Sequence, residues 1–347
     1  RLGYIEDLQR QLADEGLTPE VRDNLQARID FWEVVGMVNG ATHIYGSIDK
    51  ALVGGRVHPR VQAIQLSGRT STTDPGMTVF GKRGEALLAQ RALVLPDNPD
   101  NVLFCADLRQ GDPRAMAVHS QDPAYMALFR PGLDPATNKP RDAHQGVADD
   151  VRLPRSTAKC VHNGSLYGLG AAGVTSRYGV SEADAAQFFR EFGRAYQRME
   201  IWRNNLRRKA ERGDPIDNGL GRRINGEVGR AYTQAPALLG QSTTRDLLKL
   251  CYLNLPLEIR MMCRLQVHDE LVFSLPRDRA QEIKELILET MTFQWAPSDG
   301  MTPIWVQPSG TGFGDNWAAC YATPETFRLV DEETGERFWW EDGKRWD

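Results

Sequence analysis

The chain has 347 residues, enough for two or three lobes with cores of their own. Its apolar share of 41% is ordinary for a globular protein, and no apolar run approaches the ~20 residues that span a bilayer. The net charge of −4 argues at first sight against a polyanion partner, but it is unevenly spread: residues 151–265 carry 19 Lys/Arg against 10 Asp/Glu. A basic block inside an acidic chain suits a polyanion, and a solvated helix face accounts for the same charge. No basic-then-apolar leader opens the chain. Residue 1 is Arg and not Met, so a fragment or a processed chain is expected. The five cysteines are scattered and never spaced CxxC, which points to free thiols in a reducing cytosol and away from a zinc site.

In chain order, residues 1–50 read as helix, with Thr18-Pro19-Glu20 as an N-cap followed by Pro at the first helical position. "VGGRVHPRVQAIQLSGRTSTTDPGM" changes character, with short β-like pieces and turn chemistry at Asp74-Pro75-Gly76. "NVLFCAD" predicts a buried strand ending at Asp107. Asp112-Pro113 then reads as N-cap and first residue of the helix "PRAMAVHS", and "LDPATNKPRD" as a loop. From Leu153 the pattern is helical, and "SEAD" at 181–184 resembles a capping box ahead of a long helix. "NGLGRRING" predicts a turn or short hairpin, "TTRDLLKLCYLNL" a helix, "LQVHDELVF" a hairpin and "RAQEIKELILETMTFQW" an amphipathic helix. "WVQPSGTGFGDNW" returns to strand and Gly-rich loop. The tail 325–347, with eight acids, four bases and Phe338-Trp339-Trp340, either folds back on the body or meets a partner. Helices and strands follow one another without βαβ alternation. That predicts an α+β fold whose antiparallel sheet is assembled from separated parts of the chain.

Two acids fall at strand ends, Asp107 after "VLFCA" and Asp269 in the hairpin. A single acid there is ordinary turn chemistry. Two on neighbouring strands can share divalent cations, because Mg²⁺ takes one or two carboxylates together with substrate phosphates. Two such ions clamp the attacking and leaving oxygens of a phosphoryl transfer. In "RSTAKCVHNGSLYG", Arg155, Lys159, Asn163 and Tyr167 recur every four residues, one stripe of a helix. Two cations and a tyrosine suit a triphosphate and a base; a solvated helix face with a core Tyr is the plainer alternative. Gly168-Leu169-Gly170-Ala171-Ala172-Gly173 matches GxGxxG, but a helix precedes it where a dinucleotide site needs a strand, so that reading is rejected.

Together these segments resemble the A-family DNA polymerases. "DLRQGDPRAMA" (107–117) is similar to motif A, "RSTAKCVHNGSLYG" (155–168) to motif B and "VHDE" (267–270) to motif C. "SGRTSTTDP" (67–75), "QSTTRD" (241–246) and "GDNW" (314–317) resemble further stretches of that family, all in family order. The resemblance implies a right-hand polymerase fold with an antiparallel palm sheet, helical fingers and a short or truncated thumb. Its parts would be a helical thumb base at 1–56, palm at 57–118 and 233–323, fingers at 119–232 and the tail at 324–347. It implies addition of deoxynucleotides to a primer 3′ end, with primer–template DNA and dNTPs as partners, accessory replication proteins beside them and no membrane. The implied setting is a bacterial cytosol or a phage-infected host. By position, Asp107, Asp269 and the carbonyl of Leu108 would hold two Mg²⁺, with Mn²⁺ as substitute, and Glu270 would be an auxiliary acid. Arg155 and Lys159 would hold the triphosphate, Lys159 also supplying the leaving group's proton. Tyr167, Asn163, Gln110 and Asp112 would line the nucleotide. Arg69, Gln241, His268, Arg114 and Arg223 would attend the primer end.

Two departures stand out. Asn163 replaces the aromatic of motif B, and Asp112 replaces the Glu of motif A that blocks a ribose 2′-OH, one methylene shorter. The family's thumb is longer than anything ahead of residue 57 and no exonuclease acids precede it, so a complete chain of this form would grip primer weakly. Two other readings stay open: a catalytically degenerate nucleic-acid-binding protein with a polymerase fold, and an RNA-synthesising relative.

Overall fold

Thr18 and Pro19 open the longest helix as their chemistry requires: the Thr18 side chain accepts the Val21 N–H, and Pro19 takes the first turn, where its missing donor is not needed. The computed structural model describes residues 2–14, 16–63, 65–80, 85–322, 326–331, 334–341 and 344–346. They fall into two units, Arg1–Gln62 with Ser71–Leu93, and Ala63–Thr70 with Val94–Asp347. In the first, α1 (Leu2–Leu12) and α2 (Pro19–Ala51) pack through Leu8, Leu25 and Ile29. They run antiparallel, since Arg28 bonds Tyr4 and Arg22 bonds the Leu12 carbonyl. Short pairs follow, β1 (Leu52–Val53) with β2 (Arg56–Val57) and β3 (Arg60–Gln62) with β4 (Ser71–Thr73), then α3 (Glu85–Arg91).

The second unit is built on β5 (Asn101–Leu108), whose near-continuous apolar run is buried on both faces, as a central strand should be. After it come α4 (Gly111–Ser120), α5 (Pro123–Ala127), the small pair β6 (Leu133–Asp134) and β7 (Lys139–Pro140), and α6 (Ala143–Val151). Next are α7 (Arg155–Leu166), α8 (Ala171–Tyr178), α9 (Glu182–Ala195) and α10 (Gln197–Glu211). Ser181 caps α9 by accepting the Asp184 N–H, so the capping signal held. Tyr125, Phe129, Phe188, Phe192 and Tyr196 form an aromatic core among these helices. The GxGxxG run covers the turn after α7 and the first turn of α8, with Gly168 at φ 87; helix α7 in place of a strand ahead of it agrees with its rejection as a dinucleotide motif.

The hairpin β8 (Ile216–Asp217) and β9 (Arg223–Ile224) leads to α11 (Ala231–Asn254). This helix begins twelve residues before the stretch the sequence predicts, and Pro236 lies inside it. Proline there removes one helical hydrogen bond and crowds the carbonyl one turn back, and burial of Leu238, Leu239, Leu247 and Leu248 offsets this. α12 (Leu257–Arg260), β10 (Cys263–Val267), β11 (Glu270–Pro276), α13 (Ala280–Thr290), β12 (Phe293–Trp295), β13 (Ile304–Val306) and β14 (Pro308–Gly310) complete the body.

Among the described residues one seven-stranded sheet runs β10-β11-β5-β14 and on through β15 (Thr326–Val330), β16 (Arg337–Glu341) and β17 (Lys344–Trp346), every pair antiparallel, in line with an α+β fold. Phe104 pairs with Phe273 and Leu271 with Ala106, and α11 and α13 lay Leu248, Cys251, Ile287 and Leu288 on the same core. All five cysteines are free thiols, and no described helix is long and apolar enough to cross a membrane.

The last three strands, β15 (Thr326–Val330), β16 (Arg337–Glu341) and β17 (Lys344–Trp346), settle the tail: it extends the sheet from β14. Lys284 of α13, only 3% exposed, meets Glu341 of β16 at 2.8 Å, and Thr326 donates to the same carboxylate. Burial pushes the Glu341 carboxyl up, but the Lys284 bond and charge outweigh it and hold it below its ordinary 4.5. Glu341→Ala is expected to destabilise the chain by about 1–3 kcal/mol, less than a fully buried pair because Glu341 keeps some solvent. The contribution is complete above the unfolded pKa near 4.5 and is lost as pH falls through the lower folded value. Urea unfolding midpoints of wild type and variant at pH 7 and at pH 3 check both statements: the gap should shrink at the acid end.

Candidate active site

The acid of β5 and the acid of the β10–β11 turn are neighbours. Asp107 pairs directly with Glu270, residues so placed in an antiparallel sheet lying about 4.5–5.5 Å apart. The Leu108 N–H donates to the Asp269 carbonyl at 3.1 Å. Two residues, His268 and Asp269, make the turn, and His268 takes the left-handed conformation, φ 55, that such tight hairpins use. His268 is exposed, Asp107 and Asp269 are half-buried, and Glu270 is buried at 1%. The Tyr321 hydroxyl donates to Glu270 Oε1 at 2.6 Å. Among the described residues no three His, Cys, Asp or Glu side chains form a metal cage. Two part-exposed carboxylates at adjoining strand ends are instead a donor set that suits Mg²⁺, which keeps waters and completes its shell with substrate phosphates.

α4 leaves this point with Gln110 at its N-cap position in the left-handed region, φ 52. Asp112 is not the N-cap that the sequence predicts but a first-turn residue, because Gly111 joins the helix; a Cβ on Gly111 would meet the Thr244 side chain at 2.3 Å. The Asp112 carboxylate is thereby free to turn inward. The Tyr167 hydroxyl donates to its Oδ2 at 2.6 Å, and Arg69 Nη2 reaches the same oxygen at 3.3 Å. Burial first, then the Asp112 charge, pushes the Tyr167 phenol above its ordinary range, so it stays a donor. This junction ties the end of α7 to the helix that follows Asp107.

Arg155 opens α7 and pairs with Asp142, the N-cap of α6, at 2.5 Å. Burial lifts the Asp142 carboxyl, but Arg155 more than reverses this and holds it below its usual range. Lys159, one turn on and half-buried, has no ion-pair partner among the described residues. Asn163 is half-buried on the same stripe, and its carbonyl accepts the Tyr167 N–H. His144 of α6 joins the group: burial lowers its pKa, Lys159 and Arg155 lower it further, and Asp142 opposes them. His144 lies in no motif of its own, and the only sequence signal for it is Asp142-Ala143-His144, which puts an imidazole on the first turn of the helix just before the basic stripe.

Arg114, expected to support the primer end, is buried, and it donates to the carbonyls of Arg109, Phe129 and Trp305 and to Gln307 Oε1. Burial, helped by Arg109, pushes its pKa down to about 9. It is an internal brace between α4 and β13. Arg223 is exposed and turns to Asp217 of its own hairpin at 3.6 Å. Its neighbour Arg222 is the inward one, in a two-point pair with Asp246 at 2.7 and 2.8 Å. Gly68, at φ 72, has no room for a Cβ because the Arg222 guanidinium would lie 2.4 Å from it. Arg245 donates to the Gly68 carbonyl, fixing the loop that carries Arg69, while Gln241 is half-buried on the same helix.

The model of DNA polymerase family A matches residues 41–319. DNA polymerase I of Geobacillus stearothermophilus is 27% identical over 256 residues, covering 69% of this chain and 29% of that protein. The thermostable DNA polymerase I of Thermus thermophilus is 28% identical over 285 residues, 76% of this chain and 32% of that one. The chain therefore spans about a third of the length of the curated relatives it matches. The POL domain of Pol1 from M. smegmatis, solved with DNA primer-template and dNTP, superposes with a TM-score of 0.70 at 22% identity, over 91% of this chain and 56% of that one. The fold is thus that of a right-hand polymerase domain. With the family pattern covering most of its length, the chain belongs to DNA polymerase family A.

Proposed function

We propose that the chain is a template-directed DNA polymerase core, adding deoxynucleotides to a primer 3′ end with release of pyrophosphate. The observation that carries this is the adjacency of Asp107 and Asp269 at the ends of paired strands. Two Mg²⁺, or Mn²⁺, would be held by Asp107, Asp269 and the Leu108 carbonyl and would supply charge neutralisation at the reacting phosphate. Glu270, clamped by Tyr321, is the auxiliary acid beside Asp107. Arg155, Lys159 and His144 receive the triphosphate, with Lys159 placed to protonate the departing pyrophosphate. Primer–template DNA and dNTPs are the partners, and the cytosol of a bacterium or of a phage-infected cell is the setting. The division assigned to this activity is palm at 57–118 and 233–323, fingers at 119–232 and a helical thumb base at 1–56. Arg69, Gln241, His268 and Arg223 are assigned to the primer end, with Arg222 added from its place behind Gly68. Primer extension with all four dNTPs, compared with ribonucleotides alone, tests the assignment; growth only with ribonucleotides would move it to an RNA-synthesising relative.

Asp112 is assigned the sugar gate, with Tyr167 and Arg69 as the brackets that hold its carboxylate in place. Asp112→Ala removes the block and leaves both brackets without their acceptor. Discrimination against ribonucleotides on one template is expected to fall about tenfold or more. Discrimination equal to wild type would leave Asp112 as a bracket alone.

A further inference from the structure

We propose that a pocket on α10, well away from the paired acids, binds a stretch of single-stranded nucleic acid. The pocket is open, about 590 Å³, and one face of α10 forms its wall: Arg198, Ile201, Trp202, Asn205 and Lys209 recur at helical spacing. Its floor is the C-terminal end of α4, at His119 and Gln121. Asp107 lies before the opposite end of that ten-residue helix, which rises about 15 Å. The site is therefore separate from the polymerising centre.

Its chemistry selects the ligand. Arg198 and Lys209 are exposed and have no ion-pair partner among the described residues. They stand roughly 16 Å apart along the helix, too far for a single phosphate to bridge. Trp202 lies between them, its indole backed at 6.4 Å by the nearly parallel ring of His119, which Thr243 and Trp295 hold in turn. Burial keeps that imidazole neutral, at about 4, so it braces the indole without adding charge. The Gln121 amide is already committed to Val118 and Thr302, and Asp217 to Gly219 and Arg223. What remains is two cations with an aromatic plate and the Asn205 amide between them. A strand with two phosphates and an intervening base fits this arrangement. Arg198 also lies in the first turn of α10, where the helix end favours an anion. On the polymerase reading the strand is unpaired template, but binding itself does not require that reading.

The test is anisotropy of a labelled oligothymidylate titrated with the full chain at several salt concentrations, with primer extension on a single-nucleotide overhang run in parallel. In R198A/K209A the slope of log affinity against log salt is expected to fall by about 1.4, two contacts at about 0.7 each. Trp202→Leu is expected to weaken binding about tenfold, one stacked base, with Trp202→Phe restoring most of it. Extension on the short overhang should survive in all three, which separates failure of this site from failure of the catalytic assignment. An R198A/K209A slope equal to wild type, or a fall equalled by the R130Q/K139Q charge control, overturns the proposal. Displacement of the strand by dTMP at micromolar concentration also overturns it, in favour of a mononucleotide site.

Discussion

Replacing Asp107 or Asp269 by alanine is expected to reduce primer extension on the order of 10³-fold or more, with primer–template affinity retained. Both carboxylates stand at strand ends fixed by the β5–β11 ladder, so neither removal disturbs a core contact such as Phe104 against Phe273. The loss therefore falls on the chemical step. Phosphoryl transfer asks little of a protein except position and countercharge, and these two acids are where the countercharge would be held. Affinity for DNA should stay level or rise, because a negative charge leaves the neighbourhood of a polyanion. Single-turnover extension and an equilibrium binding titration on the same preparations separate the two effects. Extension within a few-fold of wild type in both variants would remove the catalytic reading and leave a polymerase-fold protein that only binds.

The second large effect is expected on α7. Lys159→Ala should lower single-turnover extension by about 10²-fold or more, the usual worth of a placed proton donor. Lys159→Arg should keep the nucleotide's binding charge but recover little of the rate, because a guanidinium does not give up its proton. Arg155→Ala should act differently. Arg155 already meets Asp142, so its removal frees a carboxylate beside His144 and Lys159 and weakens triphosphate binding more than the rate. A nucleotide-concentration series resolves the two: Lys159 variants change the maximal rate, Arg155 variants the half-saturating concentration. The same pattern from both residues would refute the division of labour on this stripe.

Asp107 and Asp269 were legible in the sequence because each closes a local pattern: an apolar run ending in an acid, and a hairpin whose turn carries His-Asp. The stripe of α7 was legible for the same reason, four residues being close to one helical turn. The burial of Arg114 was not legible, because a guanidinium on a helix looks alike in sequence whether its carbonyl partners come from solvent-facing loops or, as here, from Phe129 and Trp305. The inward role of Arg222 was not legible, because two adjacent arginines at the start of a short strand look alike in sequence and only the position of Asp246 decides which one turns inward.

Local periodicity and capping chemistry act over a few residues, and by themselves they placed the caps of α2 and α9, the end of β5, the β10–β11 hairpin and the order of the motifs. The Asp112–Tyr167–Arg69 junction joins residues up to 98 positions apart, the tail's strands depend on an open edge at β14, and α11 runs through Pro236 because its far face is buried. Those features were decided by the tertiary structure, since which buried polar group finds which partner is fixed only when distant segments exclude water together.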